Sequence, residues 1–366
     1  MEGRIDAGFM ARALRLAARG LYGASPNPRV GCVIVKDGIV VGEGFHRKAG
    51  EPHAEIHALE QAGPAARDAV VYVSLEPCSH HGRTPPCADR LVAAGVGRVV
   101  AAMQDPNPLV CGAGLRRLQD AGIAADCGLL EAQARELNPG FVSRMIRGRP
   151  WVRLKIAASL DGKTALLNGA SRWITGAAAR RDGHHWRARS CAVLTGIGTV
   201  RDDDPQLTVR AVETFRQPLR VVVDSRLEIA PEARVLQGGA LVVTAQAEPA
   251  RSAVLRERGV EVLALPNGRG KVDLAELMRE LARRGINEVL AEGGARLNGA
   301  LLEAGVVDEL VVYLAPRLLG HRARGMADIP ELRTLDKGWD LRFADVRQVG
   351  ADLRLLVRLE ARQAVA

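Results

Sequence analysis

The order of elements legible in this chain is that of two consecutive α/β layered domains. Three observations predict it. Short apolar runs of strand character alternate with helical patterns along most of the length, as layered α/β folds require. A polar segment punctuated by Gly and Pro, Ile146-Arg147-Gly148-Arg149-Pro150, interrupts that alternation near the middle. A length of 366 residues also suits two domains of roughly 100–200 residues, each able to bury a core. The expected domains are 1–147 and 150–366.

In the first, residues 6–20 (DAGFMARALRLAARG) place apolar side chains at helical spacing and end on Gly20. Ser25-Pro26-Asn27-Pro28 cannot be helical. Val30–Val35 and Ile39–Gly44 are strands joined by Lys36-Asp37-Gly38, a hairpin signal. A helix is expected over His53–Gln61 behind Pro52, a strand over Val70–Leu75 and a helix over Ala88–Ala94 stopped by Gly95. A strand over Val99–Met103 and a helix over Cys111–Asp120 follow. The second domain opens on the apolar run Trp151–Ala158. Further strands are expected over Ala192–Thr195, Leu219–Val223, Ala240–Val243, Val260–Leu265, Glu288–Ala291 and Glu309–Leu314. Helices over Leu274–Arg284 and Gly294–Ala304 fall between them, which is the spacing of βαβ units.

Composition narrows the function. The chain is 47% hydrophobic and 25% charged, with only 3% aromatic residues, so its cores are built from Ala, Val and Leu. Few aromatics argue against stacking platforms for single-stranded nucleic acid, and no Lys/Arg run forms a duplex-binding stripe. Residues 1–147 hold 17 Lys/Arg against 15 Asp/Glu, a balance of +2, and the remainder carries +7 of the net +9. A basic second half fits phosphate-bearing ligands; Arg-rich codon usage would give the same balance. No signal peptide opens the chain and no apolar run reaches the roughly 18 residues of a membrane span. A cytoplasmic protein is expected, its six cysteines serving as ligands or buried thiols rather than disulfides.

The strongest chemical signal is His53-Ala54-Glu55, followed by Pro77-Cys78 and then Cys87. Imidazole and thiolate are zinc donors, and one His with two Cys leaves the fourth tetrahedral position open, as in catalytic sites. Glu55, two residues past His53, suits a proton shuttle that is not itself a ligand. The pattern is that of zinc nucleobase deaminases, H-x-E followed by P-C-x-x-C, except that eight residues rather than two separate the cysteines. The alternative is a helix-start histidine and two buried thiols. His57, one helical turn after His53, reads as structural.

The departure in spacing leads to a family. PNPRVGCVIVKDG (26–38), GFH (44–46), PHAE (52–55), LEPCSHHGRTPPC (75–87) and DPNP (105–108) closely resemble the deaminase half of the bifunctional riboflavin-biosynthesis deaminase/reductases, which carry the same expanded cysteine loop. The resemblance implies a cytidine-deaminase-like three-layer α/β/α domain with one Zn2+ per chain. It makes His53, Cys78 and Cys87 the metal ligands and Glu55 the catalytic proton shuttle. Asn27, His46, His80 and Arg83 would line the substrate pocket; an Asn amide pairs with base edges and an Arg fork with phosphate.

In the second half no G-x-G-x-x-G opens a helix after a strand, so a Rossmann domain is not supported. Thr195-Gly196-Ile197-Gly198-Thr199 and Glu292-Gly293-Gly294 instead follow strands and precede helices, where glycines let a ligand approach the backbone; tight turns would look the same. LKIAASLDGKTA (154–165), SRWITG (171–176), ARRDGHHWRA (179–188), GIGTVRDDDPQLTVR (196–210), VVVDS (221–225) and EGGARLNGALL (292–302) look like the reductase half of the same family. That resemblance implies a dihydrofolate-reductase-like fold, NADPH as cofactor and a homo-oligomer paired through this domain. Transferred residue by residue, it assigns Ala157, Trp173, Thr199, Asp203, Ser225 and the turn Gly294, Ala295, Arg296, Leu297, Asn298, Gly299 to NADPH. It assigns Ser171, Arg187, Leu207, Arg210 and Glu292 to a pyrimidine ribosylamino phosphate. Arg187 and Arg210 suit its phosphate, and Lys155 and Asp161 flank the site. Asp202-Asp203-Asp204 reads as an acidic loop rather than a metal site.

Two other functions fit parts of the sequence. A nucleic-acid base deaminase would share the zinc chemistry but needs a basic channel, which a first half at +2 does not offer. A sensing or assembly role for the second half would leave NADPH oxidation unlinked to the deaminated intermediate.

Overall fold

The structure, a computed structural model, describes residues 2–79 and 85–360. It divides into two compact units, Met1–Gly148 and Arg149–Ala366. Among the described residues no helix is long and apolar enough to cross a membrane.

Unit 1 contains strands β1 (Gly31–Lys36), β2 (Ile39–Phe45), β3 (Val70–Val73), β4 (Arg98–Ala101) and β5 (Ala124–Cys127). Its helices are α1 (Glu2–Ala18), α2 (Ala54–Ala62), α3 (Cys87–Ala94), α4 (Ala113–Asp120), α5 (Glu131–Leu137) and α6 (Pro139–Arg147). The sheet order is β2-β1-β3-β4-β5. β1 is antiparallel to β2 and β3, while β3, β4 and β5 run parallel. The hairpin turns on Asp37 and Gly38 alone, both at positive φ (51° and 77°), the twist a two-residue turn needs. Alternation along the strands sorts the core. Cys32, Ile34, Val71, Val73, Val99 and Ala101 pack with Ala54, Ala58, Leu91 and Leu118 from α2, α3 and α4. Val33, Val35, Tyr72 and Val100 pack on the other face with Met10, Ala13, Ala134 and Phe141 from α1, α5 and α6. The result is the expected three-layer α/β/α sandwich.

Unit 2 contains β6 (Trp151–Ser159), β7 (Lys163–Ala165), β8 (Ala192–Gly196), β9 (Leu219–Val223), β10 (Leu241–Thr244), β11 (Glu261–Ala264), β12 (Glu288–Ala291), β13 (Glu309–Ala315), β14 (Arg324–Gly325), β15 (Leu341–Val349) and β16 (Asp352–Leu359). Its helices are α7 (Ala177–Arg189), α8 (Ile197–Asp203), α9 (Pro249–Glu257), α10 (Leu274–Arg283) and α11 (Ala295–Glu303). Nine strands form one sheet, ordered β11-β10-β9-β8-β12-β6-β13-β16-β15. The first seven are parallel, and the β15–β16 hairpin closes the edge antiparallel. β8, β10 and β12 are buried on both faces, which is why they read as unbroken apolar runs. Leu277, Leu281 and Leu301 of α10 and α11 cover one face; Trp186, Val200 and Leu255 of α7, α8 and α9 cover the other. The loops after β8, β9 and β12 leave from the carboxyl ends of parallel strands, where open α/β sheets bind ligands.

The closest helix–strand approach in unit 1 depends on one glycine. A Cβ on Gly31 would lie 2.0 Å from the Ala13 carbonyl oxygen and 2.6 Å from the Ala17 nitrogen. Gly31→Ala is expected to destabilise the unit by about 1–3 kcal/mol. Faster hydrogen exchange of the α1 amides would register the loss, and unchanged exchange would contradict the packing.

Candidate active sites

The first site is assembled at the ends of three elements. His53 is the N-cap of α2, in an extended conformation (φ −71°, ψ 165°) and without a side-chain capping bond. Cys78 lies on the segment after β3, and Cys87 opens α3 behind Pro86. The donor atoms of the three lie within 4.8 Å of one another. His53 Nδ1 is 3.2 Å from Cys87 Sγ and 3.7 Å from Cys78 Sγ. Zinc bonds of about 2.0–2.3 Å in a tetrahedron put neighbouring donors roughly 3.4–3.8 Å apart, so this set fits the ion. The hydrogen bond from Cys87 and the neighbouring His53 lower the Cys78 thiol well below the usual range, while Cys78 and burial push Cys87 up. A bound cation takes the place of the hydrogen-bonded proton.

Glu55, on the first turn of α2, is buried, and its Oε2 has no hydrogen-bond partner. Burial pushes its carboxyl up, partly offset by His53. His46 is also buried. Its Nδ1 lies 3.1 Å from the Pro52 carbonyl oxygen and its Nε2 3.1 Å from Asn27 Nδ2. The consistent assignment has Nδ1–H donating and Nε2 accepting from the amide, and burial lowers the imidazole pKa in keeping with it. His46 meets His53 edge-on at 5.3 Å between ring centroids, so Asn27 is tied through it to the donor cluster. His80 and Arg83 lie outside the described residues. His57 Nε2 is buried and unpaired, and the residue stands apart from the donor cluster.

One residue the motif reading passed over is Glu76. Its buried carboxylate accepts backbone N–H bonds from Asp105 (3.0 Å), Gly112 (2.9 Å), Gly114 (2.9 Å) and Leu115 (3.2 Å). It fastens the 105–115 segment onto the stretch that carries Cys78. The available signal was an acid squeezed between Leu75 and Pro77, where burial demands donors.

The second site is a pair of joined cavities in unit 2. One of about 580 Å³ is lined by Ala157, Ser171, Trp173, Arg187, Asp203, Leu207, Arg210, Glu292 and Asn298, together with Lys155 and His184. The other, about 970 Å³, is lined by Ser225, Arg296 and Leu297 among others. Thr199, Asp202, Gly294, Ala295 and Arg324 line both. A Cβ on Gly293 would lie 2.8 Å from Leu297 Cδ2, whereas one on Gly294 would meet Thr199 Oγ1 at an ordinary 3.9 Å. The Gly294–Gly299 stretch assigned to NADPH is the start of α11, within the helix expected over Gly294–Ala304, with Gly294 its N-cap. Gly299 lines neither cavity; a Cβ there would strike the Asp328 carbonyl at 1.8 Å.

Charge is concentrated on Glu292. Arg187 grips it with Nε to Oε1 at 2.6 Å and Nη2 to Oε2 at 2.9 Å, and donates Nη1 to the Thr208 carbonyl at 3.2 Å. Arg187 therefore orients Glu292 rather than standing free for a phosphate. Burial pushes the Glu292 carboxyl up, but Arg187, Lys155 and His184 outweigh it and hold it at about 2. Lys155 Nζ lies 3.9 Å from Glu292 Oε2; burial lowers its pKa against the pull of Glu292. Burial, then Arg187 and Arg210, hold His184 down at about 4, and its Nδ1 accepts the Arg210 backbone N–H at 3.2 Å. Arg210 donates to Gln206 Oε1 and Thr208 Oγ1 and is exposed.

Trp173 is 63% exposed, not a core residue, with the Arg180 guanidinium 4.5 Å above its ring. Asp161 lines neither cavity and serves a turn, accepting N–H bonds from Leu319 (3.1 Å) and Gly320 (2.7 Å). Each acid of the Asp202–Asp204 loop has a cationic or backbone partner. Asp202 pairs with Arg324 (3.6 Å), Asp203 with Arg172 (3.3 Å), and Asp204 accepts from the Arg234 N–H (2.8 Å). Among the described residues the only cluster suited to a metal is His53, Cys78 and Cys87.

Known proteins carry both arrangements. The cytidine and deoxycytidylate deaminase zinc-binding region matches residues 4–103, and the RibD C-terminal domain matches residues 150–355. The riboflavin biosynthesis protein RibD of Escherichia coli K12 is 50% identical over 363 residues, 96% of this chain and 98% of that protein. Its counterpart in Haemophilus influenzae is 48% identical, covering 96% of each chain. The solved structure of Acinetobacter baumannii RibD, form 1, superposes with a TM-score of 0.92 at 45% identity, covering 98% of this chain and 100% of that one. The Thermotoga maritima deaminase/reductase gives 0.86 at 34% identity with the same coverage.

Two outcomes follow. Metal analysis of the purified protein should find about one zinc per chain, and Cys87→Ala should lose it; retention of full zinc by that variant would remove Cys87 from the ligand set. Glu292, lowered from 4.5 to about 2, contributes stability that is fully present above pH 4.5 and is lost as pH falls toward about 2. Denaturation midpoints of unit 2 should decline across that window in the wild type and decline less in Glu292→Gln. Parallel declines would contradict the ion pair.

Proposed function

The chain belongs to the RibD family of bifunctional riboflavin-biosynthesis enzymes, zinc-dependent deaminases joined to NADPH-dependent reductases, and from that premise we propose how its own residues act on a diaminopyrimidinone carrying a ribosylamino phosphate. His53, Cys78 and Cys87 hold the zinc. When bound, the ion supplies a water acidic enough to act as nucleophile near neutral pH. Glu55 takes one proton of the attacking water and passes it to a ring nitrogen, then takes the second from the resulting hydroxyl and passes it to the amine, so that the C–N bond breaks, ammonia leaves and a uracil-type ring with its carbonyl remains. Its burial and unpaired Oε2 suit a carboxyl that must alternately hold and release a proton. Asn27, braced by His46, pairs with the base edge.

In unit 2, NADPH supplies the hydride that reduces C1 of the ribosyl group to the ribityl chain. C1 must first become an imine. Lys155, desolvated beside Glu292, donates a proton to the ribose ring oxygen as the C1–O bond breaks, leaving the C1=N group that the hydride reaches. Glu292, oriented by Arg187, accepts hydrogen bonds from sugar hydroxyls. Arg210 takes the phosphate, and Ser171 and Leu207 border the substrate. Ala157 and Trp173 flank the nicotinamide ring, and Thr199, Asp203 and Ser225 with the start of α11 hold the rest of the cofactor. The protein acts in the cytoplasm as a homo-oligomer paired through unit 2; the exposed Phe343 and Val346 on edge strand β15 support a partner there.

The observation that carries the reading is the buried Glu55 carboxyl, hydrogen-bonded to Cys87 and with Oε2 left unpaired, beside three zinc donors. Glu55→Gln should retain zinc and lose deamination by about 10²-fold or more while still reducing the deaminated intermediate. Retained deamination would overturn the shuttle. Lys155→Met should lower the reductase kcat by a similar factor and leave ammonia release intact; an effect confined to KM would give Lys155 a binding role only.

A further inference from the structure

The segment that lends Leu207 and Arg210 to the smaller cavity of unit 2 is held in place by side chains from elsewhere. Arg187 donates to the Thr208 carbonyl at 3.2 Å. The Gln217 amide accepts from the Val209 N–H at 2.8 Å and donates to the Val209 carbonyl at 3.0 Å. The Arg210 N–H donates to His184 Nδ1 at 3.2 Å.

That last bond decides the state of the imidazole. A ring that accepts at Nδ1 carries no proton there, so its one proton is on Nε2. A second proton would set two N–H groups against each other and break the bond. The surroundings agree with the geometry. Burial, the Arg187 and Arg210 guanidiniums and neighbouring His185 hold the ring at about 4, against the opposing pull of Glu292. Near neutral pH His184 is therefore a neutral donor through Nε2. No hydrogen bond among the described residues reaches that nitrogen, and the ring lines the cavity. It stands on α7 one turn before Arg187. Arg187 is committed to Glu292, so a phosphate held at Arg210 needs further donors from the same wall.

We infer that His184 is a substrate-binding residue of the reductase site, its Nε2–H donating to an oxygen of the ribosyl phosphate while the Arg210 backbone fixes the tautomer of the ring. The inference rests on Arg210 taking that phosphate. The ring supplies a directed donor without adding a charge, and it takes no part in hydride transfer, so its loss falls on KM rather than kcat.

Steady-state reduction of the deaminated intermediate, beside its dephosphorylated counterpart, tests this. His184→Leu should raise KM for the phosphorylated compound by about 10-fold or more, the size of one lost bond to a charged group, and for the dephosphorylated compound by less than about twofold. His184→Gln should bring KM back to within about threefold of the wild type, because a glutamine amide nitrogen reaches the place of Nε2. His184→Asn should not, since its amide reaches only the place of Nδ1. Titration with NADP+ checks that each variant keeps unit 2 folded. An unchanged KM in a folded His184→Leu, or a loss confined to kcat, overturns the inference. An equal rise for both compounds overturns it too, and puts the donor on a sugar hydroxyl. Should His184→Leu not fold, the amide pair decides: equal KM values for His184→Gln and His184→Asn overturn the inference. Arg210→Ala separates this failure from that of the placement beneath it, because an unchanged KM for the phosphorylated compound in that variant would move the phosphate away from Arg210 altogether.

Discussion

Glu55 is buried with one carboxylate oxygen unpaired, and the architecture of unit 1 is best understood from that constraint. A buried carboxylate with an oxygen left unpaired is costly unless it is protonated or stands beside a cation. The three donors next to it supply the cation's place. Pro52 and the extended His53 start α2 so that residues 53 and 55 meet the same space, and the β3–α3 connection returns both cysteines to it. Glu76 then fastens the 105–115 segment against that connection through four backbone bonds. The site is thus held by backbone geometry on rigid elements rather than by long side chains on the surface.

Unit 2 solves the opposite problem. Glu292 is buried but surrounded by Arg187, Lys155 and His184, which keep it ionised. Glu292 follows the carboxyl end of β12 and Lys155 lies midway along neighbouring β6, with α7 supplying Arg187 and His184. One carboxylate is left poised to carry a proton and the other is fixed as a permanent anion. The same side-chain type takes two roles because its surroundings differ.

Most of the fold was legible because parallel strands buried on both faces leave continuous apolar runs; Leu219–Val223 and Glu288–Ala291 fall where the sequence puts them. The elements that escaped are those whose pattern burial does not impose. β5 (Ala-Ala-Asp-Cys) is mostly exposed. α7 reads AAARRDGHHWRAR and is largely polar, because its inner face is held by Trp186 and ion pairs rather than by a leucine stripe. In β15 and β16, arginines interrupt the alternation and much of the edge faces solvent. At the sites, donor chemistry was visible in His53, Cys78 and Cys87, although eight residues separate the cysteines. Pairing was not visible: no spacing rule ties Arg187 to Glu292 across 105 residues, so Arg187 read as a phosphate ligand. Likewise Asp161 looked like a site residue when its neighbours in space are the N–H groups of a turn.

The central claim is that one chain removes an amine at a zinc site and then reduces the product at a separate NADPH site. The most direct measurement follows ammonia release and NADPH oxidation together, starting from the aminated pyrimidine, in zinc-loaded and zinc-stripped protein. The account predicts that stripped protein does neither, and that adding the deaminated intermediate restores NADPH oxidation without restoring ammonia release. NADPH oxidation by stripped protein on the aminated substrate, or a failure of the intermediate to restore it, would contradict two sites acting in that order.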